Sequence, residues 1–204
     1  MSQNSISLVI SAPSGTGKTT IIRKLMESEP KLVFSVSTTT RKMRKGEVEG
    51  KSYYYIDDAT FQNLINQGEF VEWAKVHSHS YGTSKKEVDR IRDDGNIPIF
   101  DVDVQGAKNL RLSLHDSVLV FIMPPSVSAL VDRLTTRNTE CREELSLRLS
   151  NAIGEMREYV NYDYIVINDK VGDAVNDLKA IIRSEMVTRE KMDSVVRKIL
   201  EDAK

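Results

Sequence analysis

The chain has 204 residues and a formal net charge of −1 at pH 7, so it can bury one sizeable core and carries no overall basic field for nucleic acid. Its single cysteine, Cys141, excludes an internal disulfide and is typical of a reducing compartment. No stretch approaches the roughly 18 apolar residues of a membrane helix, and the N-terminus lacks the features of a signal peptide, so we expect a cytoplasmic protein with no membrane partner.

A phosphate-binding loop is predicted near the N-terminus. The apolar run 6–10 predicts a strand, the sequence A-P-S-G-T-G-K-T follows, and a helical segment comes next, which is the context that such a loop requires. Gly15 and Gly17 allow the backbone to close round a polyphosphate, which the free N–H groups of the helix N-terminus attract. The alternative is an ordinary glycine-rich turn before a solvated helix. The predicted nucleotide-binding residues here are Ala12, Pro13, Ser14, Gly15, Thr16, Gly17, Lys18 and Thr19.

Three side chains are predicted to act where a phosphoryl group would be transferred. Lys18 is expected to reach the terminal phosphates of a nucleoside triphosphate, and the Thr19 hydroxyl is expected to bind Mg²⁺. Asp101 closes an apolar strand, which is where a P-loop fold places an acid near Mg²⁺ or its waters. The alternative role for Asp101 is a cap at the end of its strand.

The next elements are short and closely spaced. In chain order they are a strand at 32–37, a polar segment at 38–52, an aromatic strand at 53–56, a helix from Asp57–Asp58 to Gly68 and a strand at 70–76. This spacing differs from that of the flanking sequence. We therefore expect residues from about 35 to 83 to form an inserted α+β subdomain.

The rest of the chain alternates helices with apolar strands. In chain order these are a helix from the capping box of Ser84 and Glu87 to Gly95, strands at 97–100 and 117–122, two helical stretches after Pro125 that reach about Tyr159, a strand at 163–169 and a charged helical remainder. Near-continuous apolar strands separated by helices predict a parallel sheet that is covered on both faces. The predicted fold class is α/β, with a P-loop core and the inserted subdomain.

A series of motifs in this order resembles guanylate kinase. The motifs are S-T-T-T-R-K-M-R-K-G-E at 37–47, Gly50, Tyr53, F-V-E-W at 70–73, Y-G-T at 81–83, D-V-D-V-Q-G at 101–106 and I-N-D at 167–169. The resemblance covers about residues 5–185 and implies the reaction ATP + GMP = ADP + GDP, with dGMP as a further acceptor. It also implies one domain with a core at about 1–34, 84–125 and 160–204, a GMP-binding subdomain at about 35–83 and a lid at about 126–159.

The phosphate of a monophosphate acceptor needs cationic partners, because two phosphate groups held close together in a dry site repel each other strongly. Arg41 and Arg44 lie on the polar loop, and arginine suits bidentate contact with phosphate. Tyr53 and Tyr81 have phenolic hydroxyls that can donate hydrogen bonds. The resemblance implies that these four residues hold the GMP phosphate and that Arg44 also acts in catalysis. The alternative is an ordinary solvated basic loop.

Guanine offers two N–H donors and one carbonyl acceptor at its Watson–Crick edge. A carboxylate matches the donors and a hydroxyl can donate to the carbonyl. The resemblance selects Glu72 as the candidate carboxylate, with Ser37 and Thr83 as the candidate hydroxyls. The resemblance adds Asp103 on the base side of the site. For Glu72 the alternative is a solvent-facing position on a strand.

The resemblance also assigns roles near the donor nucleotide. It implies that Arg137 and Arg148 belong to a lid and reach the phosphates when the lid closes, and that Asn168 and Asp169 lie near the adenine of ATP. Without it, Arg137 and Arg148 are expected to be solvated arginines on a helix surface.

Two other functions stay open. Domains that resemble guanylate kinase also serve as protein-interaction modules without catalysis, but the retained Lys18 and the two loop arginines favour the enzyme. The acceptor of a P-loop kinase can also be UMP or dTMP, and Glu72 favours guanine over either. The apolar residues of the segment 188–204 are at helical spacing and can pack on the core or on another subunit of a homo-oligomer.

Overall fold

A computed structural model describes residues 6–76, 78–136 and 142–202. The strands are β1 (Ser7–Ser11), β2 (Leu32–Phe34), β3 (Thr38–Thr39), β4 (Tyr54–Tyr55), β5 (Phe70–Val76), β6 (His79–Ser84), β7 (Ile97–Asp101), β8 (Ser117–Met123) and β9 (Tyr164–Ile167). The helices are α1 (Lys18–Ser28), α2 (Asp58–Asn66), α3 (Lys85–Asp93), α4 (Val104–Ser113), α5 (Val127–Thr136), α6 (Arg142–Met156), α7 (Val171–Met186) and α8 (Arg189–Glu201), and a 3₁₀ helix (Arg157–Asn161) follows α6.

The larger sheet of the described residues is parallel throughout, in the order β2-β7-β1-β8-β9. This confirms the predicted parallel sheet. The apolar runs predict four of its strands, and β2 is a fifth at the edge of the sheet, where Leu32 pairs with Ile97. The carboxyl ends of β1 and β7 lie side by side, because Ile10 pairs with Asp101. The predicted loop and the predicted acid therefore meet at the carboxyl end of the sheet.

Both faces of this sheet are covered, as the apolar strands predict. Along β1, Leu8 and Ile10 pack with residues of α1 and α7 on one face, while Val9 packs with α3 and α4 on the other. All three side chains are fully buried. The central strands are therefore apolar at successive positions, because each position contacts a helix layer.

A second sheet of mixed direction forms between β2 and α3, in the order β4-β3-β6-β5. β3 pairs in parallel with β4 and antiparallel with β6, and β6 pairs antiparallel with β5. The helix α2 belongs to this part of the chain. Asp57 caps it by accepting a 2.7 Å bond from the Thr60 N–H, and Gly68 follows with a φ of 66°.

Two local predictions need correction. The strand predicted at 32–37 ends at Phe34, because the Val36 N–H donates to the Glu87 carboxylate instead of a neighbouring strand. Ser84 does cap α3 by accepting from the Glu87 N–H, but Glu87 does not complete the capping box. Its carboxylate instead accepts bonds from Val36, Tyr54 and Arg90. Glu87 thereby joins α3 to both the chain entering the second sheet and β4.

The C-terminal helix α8 leaves much of its apolar face uncovered. Val196 is 48% exposed, and Ile199 and Leu200 are each 62% exposed, so these side chains do not pack on the core. Among the described helices, none combines the length and the apolar character that crossing a membrane requires.

Candidate nucleotide site

The loop between β1 and α1 has the conformation that two glycines permit. Gly15 and Gly17 have φ values of 89° and 90°, which other residues rarely adopt. The Thr16 hydroxyl donates a 2.8 Å bond to the Pro13 carbonyl and closes the loop. Because α1 begins at Lys18, its first N–H groups face the loop and attract anions.

Lys18, the first residue of α1, reaches the carboxyl end of β7. Its ammonium group forms a 2.7 Å ion pair with Asp101 and donates a 2.7 Å bond to the Val102 carbonyl. Both predicted residues are thus brought together by the pairing of β1 with β7. A cation and a carboxylate meet at the mouth of the loop, where phosphate charge would be neutralised.

One face of the loop borders a cavity of about 400 Å³. The Asn168 amide donates to the Thr16 carbonyl, and the Asn168 Oδ1 atom is buried with no hydrogen-bond partner among the described residues. Arg133 on α5 donates to the carbonyls of Thr16 and Asn168, at 3.3 Å and 2.8 Å. The cavity is lined by Gly15, Thr16, Gly17, Thr20, Asp132, Arg133, Asn168 and Val171. Asp169, predicted for the same place, is an exposed neighbour of Asn168.

A second cavity, of about 320 Å³, lies over the loop itself. It is lined by all the predicted loop residues from Ala12 to Thr19, together with Asp103 and Glu155. Two residues of α6 approach the loop at Ser14, whose N–H donates to Glu155 at 3.3 Å and whose hydroxyl lies 3.4 Å from Arg148. Arg148 is therefore near the loop. The companion prediction for Arg137 lies outside the described residues.

The polar loop after β3 contains a compact arginine site. Arg41 is only 8% exposed and forms a two-bond ion pair with Glu47, at 2.7 Å and 3.0 Å. Its guanidinium lies 5.3 Å from the Tyr53 ring centroid, and the Tyr53 ring stands edge-on to Tyr81 at 5.9 Å. The structure thus brings together three of the four predicted phosphate-contacting residues. The fourth, Arg44, is exposed on the same loop.

Glu72 and Thr83 form a hydrogen-bonded pair between β5 and β6. The Thr83 hydroxyl is buried and donates to the Glu72 carboxylate at 2.9 Å. Thr38 pairs with Gly82 in the antiparallel register, and extending that register by one residue places Ser37 beside Thr83. Burial raises the pKa of Glu72, the bond from Thr83 opposes the shift, and the negative charge of Asp103 adds to it. Asp103 also caps α4, since it accepts a 2.7 Å bond from the Gly106 N–H.

Sequence reasoning missed Arg133, Glu155 and Glu47. Arg133 and Glu155 lie on helices and give no local signal, because a charged residue on a helix is usually solvated. Glu47 had a signal, since it closes the quoted motif 37–47, but no role was assigned to it.

We expect Gly15→Ala to weaken triphosphate binding and lower the free energy of unfolding by about 1–3 kcal/mol. The alanine would need an unfavourable positive φ, and its Cβ atom would lie 2.7 Å from Leu134 Cδ2 on α5. Thermal unfolding and nucleotide titration would measure the two effects. Gly95→Ala is the matched control, because Gly95 also has a positive φ but its Cβ would contact nothing within 4 Å. Equal effects in both variants would show that the packing of α5 against the loop is not important.

The parallel sheet, the glycine-bearing loop at the end of β1 and the lysine at the start of α1 define a P-loop nucleotide-binding protein. The guanylate kinase family model matches residues 4–185. The chain belongs to the guanylate kinase family.

Similar proteins agree with this assignment. A guanylate kinase of Myxococcus xanthus is 43% identical over 187 residues, which are 91% of this chain and 90% of that protein. One of Rhodopseudomonas palustris (strain ATCC BAA-98 / CGA009) is 45% identical over 193 residues, which are 93% of this chain and 88% of that protein. A crystal structure of guanylate kinase from Anaplasma phagocytophilum has a TM-score of 0.70 and 32% identity, and covers 92% of this chain and 89% of that one.

Proposed function

We propose that the protein transfers the γ-phosphoryl group of ATP to GMP, giving ADP and GDP. Membership of the guanylate kinase family supports this reaction. The observation that carries the choice of acceptor is the hydrogen-bonded pair of the half-buried Glu72 and the buried Thr83, on the same small sheet that adjoins the Arg41 site. The Glu72 carboxylate would match the donors of guanine, and the Thr83 hydroxyl would match its carbonyl by turning its one donor from Glu72 to the base. A cationic site nearby matches a monophosphate.

ATP is proposed to bind along the loop from Ala12 to Thr19, with its adenine in the 400 Å³ cavity. The Asn168 Oδ1 atom, which has no hydrogen-bond partner in the described part of the chain, supports this, because a buried acceptor would gain a partner in the amino group of adenine. Arg133 holds the backbone on both sides of that cavity and is proposed to keep it in shape. Asp169 is proposed to lie at its outer edge.

GMP is proposed to bind to the second sheet. Arg41, Arg44, Tyr53 and Tyr81 would hold its phosphate. Glu72, Thr83 and Ser37 would contact its base, with Asp103 on the base side. None of these proposed contacts involves the ribose, which supports dGMP as a further acceptor.

Transfer between the two phosphates depends on position and charge. Lys18 would stabilise the negative charge of the transferring group, and Arg44, Arg137 and Arg148 would neutralise the repulsion between donor and acceptor. Residues of about 126–159 are proposed to act as a lid and about 35–83 as the GMP-binding subdomain, with the rest as the core. Closing both would exclude water, which would otherwise take the phosphoryl group.

A Mg²⁺ ion is also proposed for the donor site. The Thr19 hydroxyl and the Asp101 carboxylate supply hard oxygen ligands, which suit an ion that keeps several of its waters. In the described residues no cluster of three or more histidine, cysteine or acidic side chains could hold a metal. Thr19 and Asp101 therefore suit an ion that would take its other ligands from phosphate and water. Such an ion would supply further charge neutralisation at the phosphates.

A panel of nucleoside monophosphates in a coupled assay of ADP release tests the function. We expect GMP to be the best acceptor by a wide margin, with dGMP also accepted. The cytoplasm is the proposed location of the enzyme. Preference for UMP or dTMP would overturn the acceptor, and no turnover with any of them would favour a protein-interaction module.

We expect guanine recognition to weaken as the pH falls. Only the ionised Glu72 carboxylate accepts from both guanine donors. Because its pKa is raised, mainly by burial, recognition is complete above that pKa and is lost as the pH falls through it, earlier than for an ordinary glutamate. Guanosine is the probe to use, since the phosphate of GMP also titrates and would add a pH dependence of its own. Its inhibition constant should rise on the acid side in the wild type and stay constant in Glu72→Gln, and an acid limb retained in the variant would assign the titration to another group.

A further inference from the structure

The Glu47 side chain holds together the polar loop that carries Arg41 and Arg44. Its carboxylate accepts two bonds from the Arg41 guanidinium, a 2.7 Å bond from the Arg44 N–H and a 2.7 Å bond from the Tyr55 hydroxyl. The bonds from Arg41 and Arg44 lower the pKa of Glu47 to about 2. The carboxylate is therefore ionised throughout the neutral range, and the network does not depend on its protonation.

The consequence for Arg41 is a guanidinium that is fixed before any ligand arrives. Glu47 holds one side of it, its Nη1 atom also donates to the Lys42 carbonyl at 2.8 Å, and the rings of Tyr53 and Tyr55 lie 5.3 Å and 5.9 Å away. Ordering a free arginine costs conformational entropy when a ligand binds. Here that ordering is already complete in the described structure.

The consequence for Arg44 concerns the backbone. The Arg44 N–H donates to the Glu47 side chain, and the Glu47 N–H donates back to the Arg44 carbonyl at 3.1 Å. These two bonds close a turn that sets the position of the Arg44 Cα atom relative to Arg41. The Arg44 side chain itself stays exposed on the loop.

We propose that Glu47 is a positioning residue for the acceptor phosphate, acting through the Arg41 side chain and the Arg44 backbone without contacting the substrate. This role rests on the proposed function. The Glu47 carboxylate also reduces the net positive charge around Arg41 and Arg44. Its two effects on GMP binding therefore have opposite signs. Positioning predicts weaker GMP binding when the carboxylate is removed, whereas charge reduction alone predicts tighter binding.

The test compares Glu47→Gln with Glu49→Gln. Glu49 lies on the same loop, and among the described residues its carboxylate accepts only long bonds, of 3.3 Å and 3.4 Å, from the Tyr55 N–H. The control therefore makes the same change of charge without removing the bonds of Glu47. We expect Glu47→Gln to raise the KM for GMP about tenfold, with kcat changed less than about threefold and the KM for ATP unchanged. The inhibition constant of guanosine should not change, because guanosine has no phosphate for Arg41 and Arg44 to bind. Tyr55→Phe, which removes one bond to Glu47, should raise the KM for GMP in the same direction by a smaller factor.

A KM for GMP in Glu47→Gln that equals the control, or falls below it, would overturn the positioning role. Equal weakening of GMP and guanosine would also overturn it, since that result would show general disorder of the subdomain. If thermal unfolding shows that Glu47→Gln does not fold, an unchanged KM for GMP in Tyr55→Phe overturns the positioning role as well. A wild-type protein that transfers no phosphoryl group to GMP would instead overturn the proposed function and this role with it.

Discussion

Lys18→Ala is expected to reduce phosphoryl transfer by about a thousandfold or more while leaving the fold intact. Lys18 is the cation at the mouth of the phosphate loop, where its ammonium lies 2.7 Å from Asp101. Phosphoryl transfer depends almost wholly on position and on charge stabilisation, so little catalysis remains when this charge is removed. The measurement is kcat in the coupled assay with saturating GMP and ATP.

Lys24→Ala is the control for this variant, because Lys24 is an exposed lysine on the same helix. Its turnover should match that of the wild type. Thermal unfolding separates loss of catalysis from loss of the fold, since removing Lys18 also leaves Asp101 without this ion pair. Near-normal turnover in a folded Lys18→Ala protein would refute the assignment of the loop.

Glu72→Gln is expected to lower kcat/KM for GMP by about ten- to a hundredfold. The amide keeps one acceptor but places an NH₂ group against a guanine donor, so one bond is lost and two donors face each other. Leaving a buried polar group unpaired costs about 1–3 kcal/mol, and about 1.4 kcal/mol corresponds to tenfold in affinity. Glu72 is half-buried, and this burial also raises its pKa, so part of this cost applies to it.

AMP should gain relative to GMP in the same variant. Adenine presents an unprotonated N1 acceptor, which the amide can meet and the carboxylate would repel. The decisive quantity is the ratio of GMP to AMP turnover in the wild type and in Glu72→Gln, with Glu69→Gln, just before β5, as the control. A ratio that does not change would refute the role of Glu72 and remove the main structural reason for choosing guanine.

Local sequence patterns predicted the elements that depend on neighbouring residues. The strand, loop and helix around Gly15 and Gly17 were predictable, because a positive φ and a helix start depend on residues a few positions apart. The caps at Asp57 and Ser84 followed from the same short-range chemistry. Glu87 shows where this ends, because its predicted capping-box partner is Ser84, three positions away, whereas its actual partners include Val36, 51 positions away.

The sequence by itself determined the α/β class, the phosphate loop and, through a series of motifs, the family. Only the tertiary structure decided which side chains meet: Lys18 with Asp101, Arg133 with the Thr16 carbonyl 117 positions away, and Thr83 with Glu72. The physical reason is that torsional preferences and burial periodicity act over a few residues. Contacts between distant residues depend on strand order and register, which bring together positions whose spacing along the chain carries no signal.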